Sequence, residues 1–558
     1  MGTPPPSEPV WCIDAGSSHW LQGRCRLTLA DGTERGDFDE LPADVPLGYH
    51  RLAPVDGGPI TLLVVAPRSC VPAPAGWGAA AQVYSLFDDD GWGIGDLRDV
   101  ELLGRALAER GASALLLSPL HSPAPSIPQE TSPYYPSSRR WLNPLLIPLD
   151  GASPVPNEAG ALIDRDRVWP AKRSALLEQF RLAADSTERR TWASEQGDEL
   201  TRFCTWNALS ERLGPRWTEW PERLRHPDNP AVAALADNDE QFAADCQFHA
   251  WLQWLAARSL ERTAAAAGLA LIGDLAVGCS PDGADAWLHQ DLMALDFRIG
   301  APPDPFNAAG QNWGLPPFVP SRLRAAQFQP FIGMTRAACR SMGGLRIDHV
   351  MGLFRQFWIP EGGSPADGAY VQLPAHELLS IVRLEATLAG AFVIGEDLGT
   401  VEPRVGEALR DGGILGTKVW WFDPQPVQWS NANLATVTTH DLPTVAGVWQ
   451  RTDGSPEMIA ALLAAASPND TVVTASVHLH TQVAASGAQL CLAAVDDLAG
   501  CVERPNHPGT FGDEHPNWCR RMPAGIDTIL DGAPGRQIIA AMAAARRRIV
   551  DAAAQPLN

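Results

Sequence analysis

Three acidic residues each close a short apolar run in this chain: Asp348 in Gly344-Leu-Arg-Ile-Asp-His-Val350, Glu396 in Ala391-Phe-Val-Ile-Gly-Glu-Asp-Leu398, and Asp441 in Leu434-Ala-Thr-Val-Thr-Thr-His-Asp-Leu-Pro443. An apolar run that ends in a carboxylate reads as a parallel strand whose last residue emerges into a pocket. Three such runs at similar spacing point to one shared site. Arg346 and Asp348 are two apart, so in a strand they share a face. A guanidinium beside a carboxylate keeps it ionised and able to act as a nucleophile. Glu396 instead follows Phe392, Val393, Ile394 and Gly395, and an apolar setting raises a carboxyl pKa. Two carboxyls with opposed tuning are what glycosidic bond cleavage requires, one to protonate the leaving oxygen and one to capture the anomeric carbon or activate its acceptor. His440 beside Asp441 forms a pair able to hydrogen-bond sugar hydroxyls and steady a developing positive charge. Taken singly, any of these acids is as well explained as a strand-end cap or ion-pair partner. All three on one barrel rim are not.

The elements that must position them follow from pattern. Residues 1 to about 75 alternate apolar and polar positions around Ala30-Asp-Gly32 and Asp56-Gly-Gly58, then close with Ile60-Thr-Leu-Leu-Val-Val-Ala66, which predicts a small β-rich domain. Val71-Pro-Ala-Pro-Ala-Gly76 reads as a linker. From 76 to 558, eight apolar runs alternate with helix-like stretches: Ala81–Leu86, Ala114–Leu120, Leu269–Asp274, Leu345–Asp348, Phe392–Glu396, Gly416–Phe422, Leu434–Asp441 and Leu490–Asp496. Eight strand-helix units predict closure into a (β/α)8 TIM barrel, an α/β fold. The stretch at about 150–265 predicts a largely helical subdomain inserted on the active-site rim, with Phe248, Trp251 and Trp254 at core spacing. Arg546-Arg-Arg548 reads as a solvated helix end.

Composition narrows the partner. A chain of 558 residues is too long for one ordinary core, and 45% hydrophobic content marks it as globular. A formal charge of -22 argues against nucleic acid and anionic membrane, both of which reward basic surface. A neutral ligand suits it better, and 20 Trp supply faces for stacking on flat, hydroxyl-rich molecules. The ten cysteines show neither C-x-x-C pairs nor Cys/His clusters at metal spacing, so they read as reduced and structural, with no metal expected. Met1-Gly-Thr-Pro-Pro-Pro-Ser7 lacks the basic and apolar regions of a secretion signal, and Pro6 stands where myristoylation needs Ser or Thr. No uncharged apolar stretch reaches the ~18 residues of a membrane helix. A cytoplasmic protein is the expectation.

The ordered segments Leu345-Arg-Ile-Asp-His349, Ile394-Gly-Glu-Asp-Leu-Gly399 and Thr439-His-Asp-Leu-Pro-Thr444 resemble the signature segments of the amylomaltases, the 4-α-glucanotransferases of glycoside hydrolase family 77. Trp92-Gly-Ile-Gly-Asp96, Ser132-Pro-Tyr134, Gly273-Asp274, the stretch Ala301–Pro316, Arg504-Pro-Asn-His-Pro-Gly-Thr510 and Asn517-Trp518 extend the likeness from about 79 to near 525. The resemblance implies transfer of α-1,4-glucan segments by a retaining, two-step mechanism without a cofactor. It implies Asp348 as nucleophile, Glu396 as acid and base, and Asp441 with His440 as transition-state stabilisers. It also implies substrate contacts from Tyr134, Asp274 and Arg346, an acceptor floor at Trp313, and Asp304 and Gln311 near the substrate. A hydrolase of the same bonds and a catalytically inert glucan-binding protein are the rival readings. A hydrolase differs only in whether water or a sugar accepts the glucosyl group. Oligomeric state is not legible.

Overall fold

The computed structural model describes residues 8–151, 153–303, 309–510 and 514–554, with side chains through Ile549. By contact the chain forms two compact units, Met1–Pro72 with His289–Gly416, and Ala73–Leu288 with Thr417–Asn558.

Eight parallel strands close into a barrel in chain order: Gly76–Ala81, Ala114–Leu117, Ala270–Leu275, Gly344–Ile347, Phe392–Gly395, Leu415–Val419, Asn433–Thr436 and Leu490–Ala494. The eighth strand pairs with the first, Leu490 opposite Gly76. These strands read as unbroken apolar runs because both of their faces are covered. Two boundaries differ from the expectation. The first strand ends at Ala81, and the predicted run beyond it becomes a 3-10 turn at Val83–Ser85. Apart from Trp77 its residues, Gly76-Trp-Gly-Ala-Ala-Ala81, are small, which is why the pattern points downstream. The small size is needed, since a Cβ on Gly78 would lie 2.1 Å from the Ala114 carbonyl oxygen on the neighbouring strand. The seventh strand ends at Thr436, five residues short of Asp441. Thr436 and Thr438 spend their hydroxyls on the carbonyls of Thr438 and Pro443, which turns the chain out of the ladder.

The N-terminal strands Val10–Asp14, His19–Thr28, Glu34–Leu41, Gly48–Pro54 and Thr61–Ala66 form one five-stranded sheet over a core that includes Leu27, Leu41, Leu63 and Val65. Between the second and third barrel strands the helices Arg165–Leu182, Asp198–Leu213 and Glu240–Ala266 carry the insert. Phe248 and Trp251 are core there, packed with Trp92 and Trp169, and Trp254 packs partly buried against them. A four-stranded antiparallel sheet was not anticipated: Gln311–Leu315, Phe297–Ala301, Arg355–Pro360 and Ala369–Gln372, in that order. Its strands come from the excursions that follow barrel strands three and four.

Arg546 overturns the solvated-helix-end reading. It lies inside the helix Ala533–Ala554, is buried, and donates to the carbonyls of Ser486 and Gln489 at 3.3 and 3.1 Å, just before barrel strand eight. Its neighbours Arg547 and Arg548 are exposed. Charge alone did not distinguish the three. Arg546→Met should cost about 1–3 kcal/mol by stranding these acceptors, whereas Arg547→Met should stay within about 0.5 kcal/mol. Urea unfolding of the two variants side by side checks this, and equal midpoints would refute the buried role.

Candidate active site

In the first unit, barrel strands four and five run in parallel register, Gly344 opposite Phe392 and Ile347 opposite Gly395. Asp348 and Glu396 are the next residue of each, so register alone sets them side by side at the strand ends. The backbone locks that position: Glu396 N–H donates to the Ile347 carbonyl at 3.0 Å, and Val350 N–H donates to the Glu396 carbonyl at 2.9 Å. Gly395 permits the close approach, because a Cβ there would meet a Val350 methyl at 2.8 Å.

Arg346, buried in strand four, holds Asp348 through an ion pair of 3.0 Å. The Glu396 carboxylate accepts the backbone N–H groups of His349 at 2.9 Å and Leu398 at 2.7 Å. Burial first, and then the charge of Asp348, push the Glu396 carboxyl up to about 7 against the opposing pull of Arg346 and the two N–H donors. His349 reaches its position in the left-handed region, at φ 47°. That conformation costs a non-glycine residue about 1–2 kcal/mol. In return its N–H turns onto Glu396 while its ring meets Trp313 edge-on, centroids 5.0 Å apart. Burial holds the His349 imidazole down to about 4, hence neutral. Trp313 Nε1 donates to Gln311 Oε1 at 2.9 Å, and Gln311 is exposed. Asp304 lies outside the described residues.

The second unit gathers the other predicted residues. Tyr134, in a turn, donates its hydroxyl to Asp274 Oδ2 at 2.7 Å, and Asp274 is the penultimate residue of barrel strand three. The Tyr134 ring stacks on His440, with centroids 4.8 Å apart and planes at 28°, and Trp518 tilts against both at 5.3 Å. His440 Nε2 lies 3.4 Å from Asp441 Oδ2. Asn506 donates to Asp441 Oδ1 at 2.6 Å, and Arg504 donates to the Asp441 carbonyl at 2.7 Å. The Asp441 side chain nevertheless keeps 45% of its surface open. It is fixed without being covered, as a group that must meet a ligand should be.

The structure therefore brings together Arg346, Asp348 and Glu396, then Gln311 and Trp313 with His349, and separately Tyr134, Asp274, His440 and Asp441. Sequence reasoning assigned no role to His349, Asn506, Arg504 or Trp518. All four stand within the quoted motif segments Leu345–His349, Arg504-Pro-Asn506 and Asn517-Trp518, so the signal is present in the sequence.

Chemically, the first unit holds a carboxyl that keeps its proton to about neutral pH beside an arginine-paired carboxylate. That is the division of labour between a general acid and a nucleophile. Because the folded value of Glu396 lies above the ordinary carboxyl value of 4.5, the folded state retains a proton that the unfolded chain releases. Its contribution to stability is complete below that unfolded value and is lost as pH rises through about 7. Asp99, Asp496 and Asp497 are also pushed up to about 7 by burial, so a titration must be taken as a difference. The protonated-carboxyl infrared band that Glu396→Gln removes should titrate near pH 7 in the parent and lower in Asp348→Asn. A band already lost at ordinary carboxylate pH would refute the raised value.

Comparison with known proteins adds the family. A family profile described as 4-alpha-glucanotransferase matches residues 81–527. The 4-alpha-glucanotransferase of Mycobacterium tuberculosis is 37% identical, the match covering 88% of this chain and 78% of that protein. That of Haemophilus influenzae is 31% identical over 86% of this chain and 81% of its own length. Among solved structures, amylomaltase from Corynebacterium glutamicum superposes with a TM-score of 0.83 at 29% identity, covering 96% of this chain and 90% of that one. Amylomaltase from Streptococcus agalactiae in complex with acarbose, at 20% identity and a TM-score of 0.73, covers 85% of this chain and 99% of its own and shares the fold. The profile spans both carboxylate-bearing strands as well as Asp274 and Asp441, and on that match the chain belongs to the 4-α-glucanotransferases of glycoside hydrolase family 77.

Proposed function

We propose that this 4-α-glucanotransferase moves segments of α-1,4-glucan onto the 4-hydroxyl of an acceptor sugar, with retention, through a covalent glycosyl-enzyme at Asp348. The observation that carries the reading is the pair at adjacent strand ends, Asp348 held by Arg346 and Glu396 protonated to about 7. In the first step a carboxylate oxygen of Asp348 bonds to the anomeric carbon while Glu396 gives its proton to the departing 4-oxygen. In the second, Glu396 takes the proton of the acceptor hydroxyl, whose oxygen displaces Asp348. Asp441, fixed by Asn506 and His440, is the group we assign to ring hydroxyls and the oxocarbenium-like transition state. Tyr134 and Asp274, joined by a hydrogen bond, contact the same sugar. Trp313, with Gln311, floors the acceptor side. Asp304 is assigned a place near the substrate from the motif alone.

Transfer rather than hydrolysis requires a bound sugar to outcompete water at about 55 M, and a well-oriented hydroxyl reaches effective molarities of ~10⁵ to 10⁸ M. A hydrolase would use the same carboxyls, so the products decide. We assign the work to the cytoplasm. All ten cysteines are free, most of them buried, which suits a reducing compartment, and no helix among the described residues is long and apolar enough to cross a membrane. The partner is a neutral glucan rather than a nucleic acid, in line with the charge of -22. We keep residues 1–75 as a β-rich domain and 76–558 as the catalytic barrel, with its insert at about 150–265.

Glu396→Gln should lower turnover of maltooligosaccharides by at least ~10² to 10⁴-fold with the fold intact, since an amide cannot donate the acid's proton. Residual activity within about tenfold of the parent would remove Glu396 from that role. Asp348→Ala should abolish trapping of a glycosyl-enzyme, and a label on any other carboxylate would reassign the nucleophile. Maltotriose as sole substrate should yield glucose and a ladder of longer oligomers with little gain in reducing ends, and Trp313→Ala should lower transfer more than hydrolysis. One new reducing end per bond broken would replace the transferase reading with a hydrolase.

A further inference from the structure

The second unit contains a buried acid and imidazole that the mechanism above does not use. Asp497 Oδ1 accepts the Val445 N–H at 2.9 Å. Its other oxygen, Oδ2, lies 3.6 Å from His480 Nε2, in the helix Val472–Ala484. Both side chains are almost wholly buried, and neither of these two atoms has a hydrogen-bond partner among the described residues. We propose that Asp497 and His480 share one proton, and that the pair is a positioning device that fixes the loop carrying His440 and Asp441 for the chemical step. The proposal rests on the assignment of Asp441 to the substrate.

The proton follows from the hydrogen-bond partners. His480 Nδ1 lies 2.8 Å from the Ser476 carbonyl, which can only accept, so Nδ1 carries a hydrogen. In the neutral ring Nε2 is then a bare acceptor that faces a carboxyl oxygen. Two acceptors enclosed together repel unless a proton stands between them, and about 0.5 Å of approach makes this contact a hydrogen bond. Burial favours the neutral acid over an ion pair. It pushes the Asp497 carboxyl up to about 7 and the His480 imidazole down to about 4. Of the other ionisable groups close by, Asp496 and Cys501 are raised by burial first and then by neighbouring aspartate charge. Cys491 in barrel strand eight is raised to about 11. The helix Val445–Gln450 and barrel strand one carry no ionisable side chain. His478 is exposed, as are Arg536, Arg547 and Arg548 of the helix Ala533–Ala554, whose buried Arg546 turns to Ser486 and Gln489.

The tie to Asp441 is short. Val445 follows Thr444, whose hydroxyl donates to the Val502 carbonyl at 2.9 Å. Further along the segment after barrel strand eight, Arg504 and Asn506 hold Asp441, and the Asn506 N–H donates to the His440 carbonyl at 3.1 Å. The stretch from Asp497 to Asn506 therefore grips residues 440–445 at both ends, and Asp497 is its anchor in the core. Loss of the proton would leave a carboxylate against a bare nitrogen and loosen that grip.

The test uses the full-length enzyme with maltotriose. Asparagine reproduces the neutral acid, since its carbonyl accepts from Val445 and its amide donates to His480 Nε2. Below neutrality Asp497→Asn should keep kcat within about twofold of the parent, whereas Asp497→Ala should lower kcat about tenfold with little change in KM. As pH rises through about 7 the parent loses the proton and the Asn variant has none to lose. The ratio of Asn-variant to parent kcat should therefore climb severalfold on the alkaline side, where the titration of Glu396 is common to both and cancels. A ratio flat with pH, or an Asn variant as impaired as the Ala variant, would overturn the proposal. If Asp497→Ala fails to fold, the Asn ratio decides alone. If Asp441→Asn keeps the parent's kcat, the reading of Asp441 fails instead. Hydrogen exchange across residues 437–450 above neutrality then decides the positioning role, with faster exchange in the parent than in Asp497→Asn supporting it and equal rates refuting it.

Discussion

The parallel register of barrel strands four and five is the constraint on which the first unit's chemistry depends. Ile347 opposite Gly395 makes Asp348 and Glu396 neighbours, and a slip of one residue would turn one carboxyl to the opposite face. The register is held beyond the strands by the Glu396 N–H to the Ile347 carbonyl and the Val350 N–H to the Glu396 carbonyl. Gly395 is what lets Val350 come that near. The same crossing carries the His349 N–H to the Glu396 carboxylate, so backbone order and side-chain protonation are settled by one small set of contacts.

That set is costly to maintain. His349 sits in the left-handed region, and the neutral carboxyl of Glu396 is sustained by burial in spite of two N–H donors that favour its charged form. Strain and desolvation of this kind persist where surrounding structure over-determines them. Buried Asp496 and Asp497, next to each other after barrel strand eight, are raised in the same direction. The protein thus holds several protons at pH values where its unfolded chain would release them, and these groups make folding more favourable on the acidic side of neutrality.

Much of this was legible in the residues. Apolar runs ending in Asp348 and Glu396 located strands four and five to within a residue, because a parallel strand buried on both faces leaves an unbroken signature. The first strand lies upstream of the run that hydropathy picks out because, Trp77 apart, Gly76-Trp-Gly-Ala-Ala-Ala81 is built of small residues, whose packing hydropathy does not register. By pattern Asp441 joins its strand because threonines look β-like, whereas in the structure their hydroxyls bend the backbone away from the ladder. Arg546 was indistinguishable from Arg547 by type, and only the position of Ser486 and Gln489 separates them. Asn506 reaches Asp441 through one side-chain amide and His349 reaches Glu396 through one backbone N–H, interactions that no periodicity encodes.

The four-stranded antiparallel sheet has a consequence for how this barrel can change over time. In a (β/α)8 protein each loop at the active end is ordinarily free to lengthen or shorten by itself, which underlies the versatility of the architecture. Here the excursion after strand three is laddered to the excursion after strand four, Ile299 opposite Trp358 and Gly300 opposite Phe357. An insertion in one would displace the other by whole residues and turn its side chains over. The two loops are thereby a single heritable unit, and variation in this part of the cleft is confined to substitutions that keep both lengths.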